Sequence, residues 1–104
     1  MATKIVALFN LKPGTGVADY ETWAKNTDLP TVNGLKSVDT FGVFKSVGLL
    51  GSEDKPPYAY IEIIDVADMD LFGGEVGSET MQKVAAEFQL MADDLVFILT
   101  EQLG

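Results

Sequence analysis

Two segments near the ends of the chain are apolar at consecutive positions, and they constrain the fold more than any other feature. In "KIVALFNLK" (4–12), Ile5, Ala7 and Phe9 alternate with Val6 and Leu8, and both sets are hydrophobic. In "LVFILT" (95–100), Leu95, Phe97 and Leu99 alternate with Val96 and Ile98 in the same way. Successive strand residues point to opposite faces, so each segment reads as a strand that needs cover on both sides. A chain of 104 residues forms one domain, 1–104, and cannot cover such a sheet twice with its own elements.

The segments between supply the rest. "PGTG" (13–16) breaks the first strand. Val17, Tyr20, Trp23, Ala24 and Thr27 follow as one helical stripe, with Thr15 or Gly16 as cap and Asp19 and Glu21 in the first turn. "NTDLPTVNG" (26–34) is expected to end that helix, because Leu29 precedes a proline and is biased toward extended geometry. "LKSVDTFGVFKSVGLL" (35–50) reads as a long β segment with a bulge or bend at Gly42. The polar loop "GSEDKPP" (51–57) leads into a third strand, "YAYIEIIDV". "ADMDLFGGEVGS" (67–78) reads as a helical turn and a glycine-loosened loop. Ser78 then caps a helix whose stripe is Met81, Val84, Ala85, Phe88 and Met91. The order β-α-β-β-α-β is that of an α+β, ferredoxin-like domain, with both helices on one face of a four-stranded antiparallel sheet. The other face would be a bare apolar surface larger than soluble monomers expose. A second copy packed sheet to sheet is the expected cover, giving a two-fold homodimer.

Composition narrows the chemistry. The chain has no Cys, His or Arg, which removes thiol nucleophiles, Ser-His-Asp triads, Cys- and His-ligated metals and the guanidinium clamp for phosphates. Seven lysines face sixteen carboxylates for a net charge of −9. Nucleic acid and anionic membranes are therefore poor partners. No apolar stretch approaches the roughly 20 residues needed to span a bilayer. The N-terminus lacks the pattern of a signal peptide, so a cytoplasmic protein is expected. What remains suits a neutral or cationic organic ligand. "GTGVAD" (14–19) lacks the third glycine of a dinucleotide fingerprint, and Asp65, Asp68 and Asp70 lack calcium-loop spacing.

Within the third strand, Tyr58, Tyr60, Glu62 and Ile64 share one side. If that side faces the helices, Glu62 would line a cavity with Tyr60, Trp23 of the helical stripe and Asn10 of the first strand. Burial would raise the pKa of Glu62 toward the neutral range and suit it to proton transfer. The plain alternative puts Glu62 at a wet position or against Lys45. Trp23 and the tyrosines are more often core residues than a ligand platform. Asp28 either caps a turn or reaches the mouth of the cavity. Asn10, an amide in an apolar strand, needs a partner, either a ligand or neighbouring backbone.

The blocks "FNLKPG", "YETWAKNTDLPTVNGLKSVDTF", "PPYAYIEIIDV" and "AAEFQLMADDLVFILTEQL" together resemble the RedY-like family. The resemblance covers nearly the whole chain and is carried by the run of blocks, not by any one motif. It implies a dimeric α+β barrel and a part in making prodigiosin-type tripyrrole pigments, on the branch that supplies the methoxy-bipyrrole carbaldehyde. Three roles follow. The protein is a cofactor-independent enzyme on a pyrrolic intermediate, a non-catalytic carrier or chaperone for an intermediate or for pathway enzymes, or a cofactor-free monooxygenase. For the first, Glu62 is the acid/base, Asn10, Asp28, Trp23 and Tyr60 bind the ligand, and no cofactor or metal is needed.

Overall fold

The computed structural model describes residues 3–104. Four strands, β1 (Thr3–Leu11), β2 (Val38–Lys45), β3 (Tyr60–Val66) and β4 (Ala92–Thr100), form one antiparallel sheet in the order β2-β3-β1-β4. The helices are α1 (Val17–Trp23), α2 (Leu29–Asn33), α3 (Met69–Glu75) and α4 (Glu79–Met91). This is the ferredoxin-like α+β arrangement that the order of elements predicts.

The alternation of β1 decides which face the helices cover. Ile5, Ala7 and Phe9 are buried, whereas Val6 and Leu8 are only half-buried. Across the ladder, Ala7 pairs with Glu62 and Ile5 with Ile64, so Glu62 and Ile64 lie on the helix side with them. On that side sit two hydrophobic clusters. Ile5, Val32, Val38, Phe41, Ile64 and Val66 form one. Phe9, Tyr20, Ala24, Tyr60, Phe88 and Ala92 form the other. The opposite face carries Val6, Leu8, Ile61 and Ile63 with the more exposed Phe44, Val96 and Ile98. It is the bare apolar face that the two-sided strands anticipate.

Three sequence expectations are corrected. The first helix does not end near Thr27. It runs through a five-residue π-helical turn, Ala24–Asp28, directly into α2, and Leu29 is helical at φ −58° and ψ −51°. Pro30 lies two residues past the π turn in this continuous helix, and the burial of Val32 outweighs the pre-proline bias. The second β segment is only eight residues long, and its irregularity lies between Val38 and Thr40. Gly42 pairs regularly with Ile63; a Cβ there would stand 3.0 Å from the Phe44 ring. The last strand begins at Ala92, three residues before the predicted start, and follows α4 without a loop.

Ser78 caps α4 as expected, its hydroxyl accepting from Met81 N–H at 3.3 Å. Asp68 caps α3 by accepting from Leu71 N–H at 3.0 Å. Asp65 accepts from Lys4 Nζ and from the Thr40 hydroxyl, each at 2.7 Å. The acidic residues at 65 and 68 therefore have structural partners. Glu75, in the last turn of α3, accepts from the backbone N–H groups of Lys36 and Ser37, both at 2.9 Å. That carboxylate fastens α3 to the segment entering β2.

Candidate functional site

Between helices and sheet lies a hollow of about 400 Å³. Its wall is almost wholly apolar: Ile5 and Phe41 from the sheet, Met69 and Phe72 from α3, Val84 and Phe88 from α4. On the β4 side it is bounded by Phe97 and Leu99, which are 57% and 68% exposed. Two carboxyls, Asp28 and Glu62, are the only ionisable groups that line it among the described residues.

Glu62 is held there by strand register. Its Cα partners are Ala7 of β1 and Val43 of β2, so it occupies a central position on the covered face. Only 4% of it is exposed, and Asp28, reaching it from the π turn, is 5% exposed. The two carboxyls lie close enough to share a proton. Burial raises the pKa of each, and the nearby Asp28 charge raises Glu62 further. The pair thus retains a proton in the neutral range, held between the two carboxyls. One Glu62 oxygen, Oε2, has no hydrogen-bond partner among the described residues. Lys45 is not the partner of Glu62. Its Nζ lies 3.0 Å from Glu21 instead.

The structure brings Asp28 to Glu62 but separates the other candidates from them. Asn10 shares its face of β1 with Val6 and Leu8, the side away from Glu62. Its amide donates to Pro57 carbonyl and Asp94 Oδ2, both at 3.2 Å, and its oxygen accepts from Ala59 N–H at 2.9 Å. These contacts lock the start of β3 to the β1–β4 bulge, where Asp94 takes a φ of 54°. Neighbouring backbone and side chain, not a cavity, satisfy this amide.

Trp23 and Tyr60 are not in the hollow either. Trp23 stacks on Phe88 at 6.2 Å, and its indole N–H donates to Glu87 at 3.4 Å. Tyr60 stacks on Phe9 at 5.5 Å and donates to Glu21 at 2.8 Å. Burial first, then that anionic partner, pushes the Tyr60 phenol up to about 12. Both rings belong to the aromatic core.

Tyr20 was read only as a helix-stripe residue. It is fully buried, its hydroxyl lacks a hydrogen-bond partner among the described residues, and burial followed by the Glu62 and Asp28 charges raises its pKa. Its proximity to the acidic pair depends on tertiary pairing, which one sequence does not reveal. The signal that was available is the four-residue spacing Tyr20, Ala24, Asp28 and Val32, the buried set of this segment.

Fold and site together define a class: a ferredoxin-like α+β protein with an apolar hollow that ends in a buried carboxyl pair. The chain belongs to the HapK family of REDY-like proteins, whose profile matches residues 3–103. It is similar to the crystal structure of HapK from Hahella chejuensis, at 28% identity and a TM-score of 0.79, covering 100% of this chain and 94% of that one. The fold is shared with SnoaB, a cofactor-independent oxygenase from Streptomyces nogalater, at 12% identity and a TM-score of 0.78, over 99% of this chain and 94% of that one. A dimeric ferredoxin-like protein of unknown function from Thermobifida fusca matches at 16% identity and a TM-score of 0.78, over 98% and 92% of the respective chains. No curated protein matches the chain. Among the described residues, no helix is long and apolar enough to cross a membrane.

Proposed function

We propose that this protein is a homodimeric, cofactor-independent proton-transfer catalyst acting on a pyrrolic intermediate of prodigiosin-type pigment assembly, on the methoxy-bipyrrole carbaldehyde branch. The observation that carries this reading is the Asp28–Glu62 pair at the end of an apolar hollow. A flat, neutral heteroaromatic would bury its rings against Phe41, Phe72 and Phe88 and present an N–H or carbonyl to the carboxyls. The protonated carboxyl can donate to a carbonyl while its ionised neighbour accepts an N–H proton, so acid and base are supplied together. No lysine lines the hollow, which disfavours phosphorylated or carboxylated ligands. Membership of the HapK family supports the pigment pathway. The exposed Phe44, Val96 and Ile98 on the uncovered sheet face support a two-fold dimer, as does the dimeric relative.

The test is turnover of methoxy-bipyrrole carbaldehyde and its precursors by wild-type protein and by Glu62→Gln. Loss of turnover with retained binding is expected of the variant, and equal turnover would remove Glu62 from the reaction. A second reading, a carrier that shields a reactive aldehyde, is favoured by the scarcity of polar groups in the lining. Mass spectrometry of the recovered ligand separates the two, because a carrier returns it unchanged. Oxygen uptake during turnover would instead point to the oxygenase chemistry named for SnoaB.

A further inference from the structure

The buried residues of the first helical segment, Tyr20, Ala24, Asp28 and Val32, are four apart at every step. An α-helix turns through about 400° in four residues, so each step overshoots by about 40°. Over three steps the drift reaches about 120°, enough to carry one end of the set away from the sheet. The drift is taken up between Ala24 and Asp28, where the helix widens and Leu29 N–H reaches back five residues to the Ala24 carbonyl.

Pro30 stands two residues beyond Asp28. A proline ring inside a helix presses on the carbonyl four residues earlier, here that of Asn26. Widening the turn relieves that contact, and it also keeps Asp28 in line with Tyr20 and Val32. Asn26 and Pro30 are both exposed, so packing around their side chains does not explain the widening.

We propose that Pro30 is a positioning residue, which holds the Ala24–Asp28 turn in its π form and thereby keeps the Asp28 carboxyl against Glu62. The significance of the pair rests on the functional reading above, but the positioning can be tested with no ligand present. The titratable groups that meet at this point are Tyr20 from α1, Asp28 from the turn and Glu62 from β3. Ile5 of β1, Phe41 of β2, Val84 and Phe88 of α4 and Phe97 of β4 face them with no charge.

The experiment compares Glu62 carboxyl titration by 13C NMR in wild type, Asp28→Asn, Pro30→Ala, and Pro30→Ala with Asn26 deleted. The deletion shortens the spacing to four, three and four, which an ordinary α-helix keeps on one face. Asp28→Asn is expected to lower the Glu62 proton affinity tenfold or more, and Pro30→Ala to do the same by rotating Asp28 away. Deleting Asn26 in the Pro30→Ala background is expected to restore the wild-type titration. A Pro30→Ala protein that titrates like wild type would overturn the proposal, and so would a deletion that fails to restore it. If Pro30→Ala does not fold, the deletion variant decides alone by the same criterion. A restored pair in a protein that binds no pyrrole would refute the functional reading and leave the positioning intact.

Discussion

Replacing Glu62 with glutamine should change how stability depends on pH, by an amount that the buried pair fixes. In the unfolded chain both carboxyls ionise near about pH 4. In the folded protein both are almost entirely buried and both are shifted upward, chiefly by burial. Through the neutral range the native state therefore binds about one more proton than the unfolded state, and stability falls by about 1.4 kcal/mol per pH unit. The contribution is fully present below the unfolded values and is lost as pH rises through the raised ones. Glutamine keeps the shape and removes that proton, leaving Asp28 ionised beside an amide that can donate to it. From about pH 6 to about pH 8 the wild type should lose roughly 3 kcal/mol relative to Glu62→Gln. Urea unfolding at fixed protein concentration, followed by the single tryptophan Trp23, measures both. Taking the difference between the two proteins cancels the general repulsion of an acidic chain. Parallel stability profiles would show that the folded pair holds no extra proton, and the acid-plus-base reading of the hollow would fail with them.

Phe88→Ala should cost about 3–5 kcal/mol in the same assay, because the ring meets Phe9 edge-on at 4.9 Å and Trp23 face-on at 6.2 Å. Asn10→Ala strips three hydrogen bonds from the β3 entry and should destabilise by about 1–3 kcal/mol, while calorimetry with a bipyrrole ligand should show unchanged affinity. Ser78→Ala removes the α4 cap and should lower unfolding stability by about 1 kcal/mol.

The fold was legible because its signals are local and repeated. Two-sided apolar strands, the Ser78 cap and the α4 stripe each say the same thing about the sheet and its cover. Glu62 was legible too, since alternation in the third strand leaves it two options and only one is buried. Asn10 was misplaced for a reason internal to the same rule. It alternates with Ala7 and Phe9, and register then puts Glu62 beside Ala7, so the two polar residues point to opposite faces. Asp28 was obscured by the proline two residues on, which reads as a helix end. The helix continues because Val32 gains more from facing the sheet than the pre-proline bias costs. Trp23 and Tyr60 show the limit of residue type as a guide. An aromatic ring on a core-facing stripe is equally suited to packing and to ligand contact, and only its neighbours distinguish them.

The direct passage of α4 into β4 determines how anything could get in. Two flanks of the chamber, Val84 with Phe88 and Phe97 with Leu99, belong to one unbroken length of chain stitched to β1. Phe97 and Leu99 cannot move without tearing the β1–β4 ladder, and α4 joins that strand with no loop between. The short helix carrying Met69 and Phe72 has no buried residue of its own and is moored at its far end by the Glu75 carboxylate. Severing that mooring should make this flank swing freely, so guest exchange should quicken when Glu75 is neutralised while the sheet stays whole.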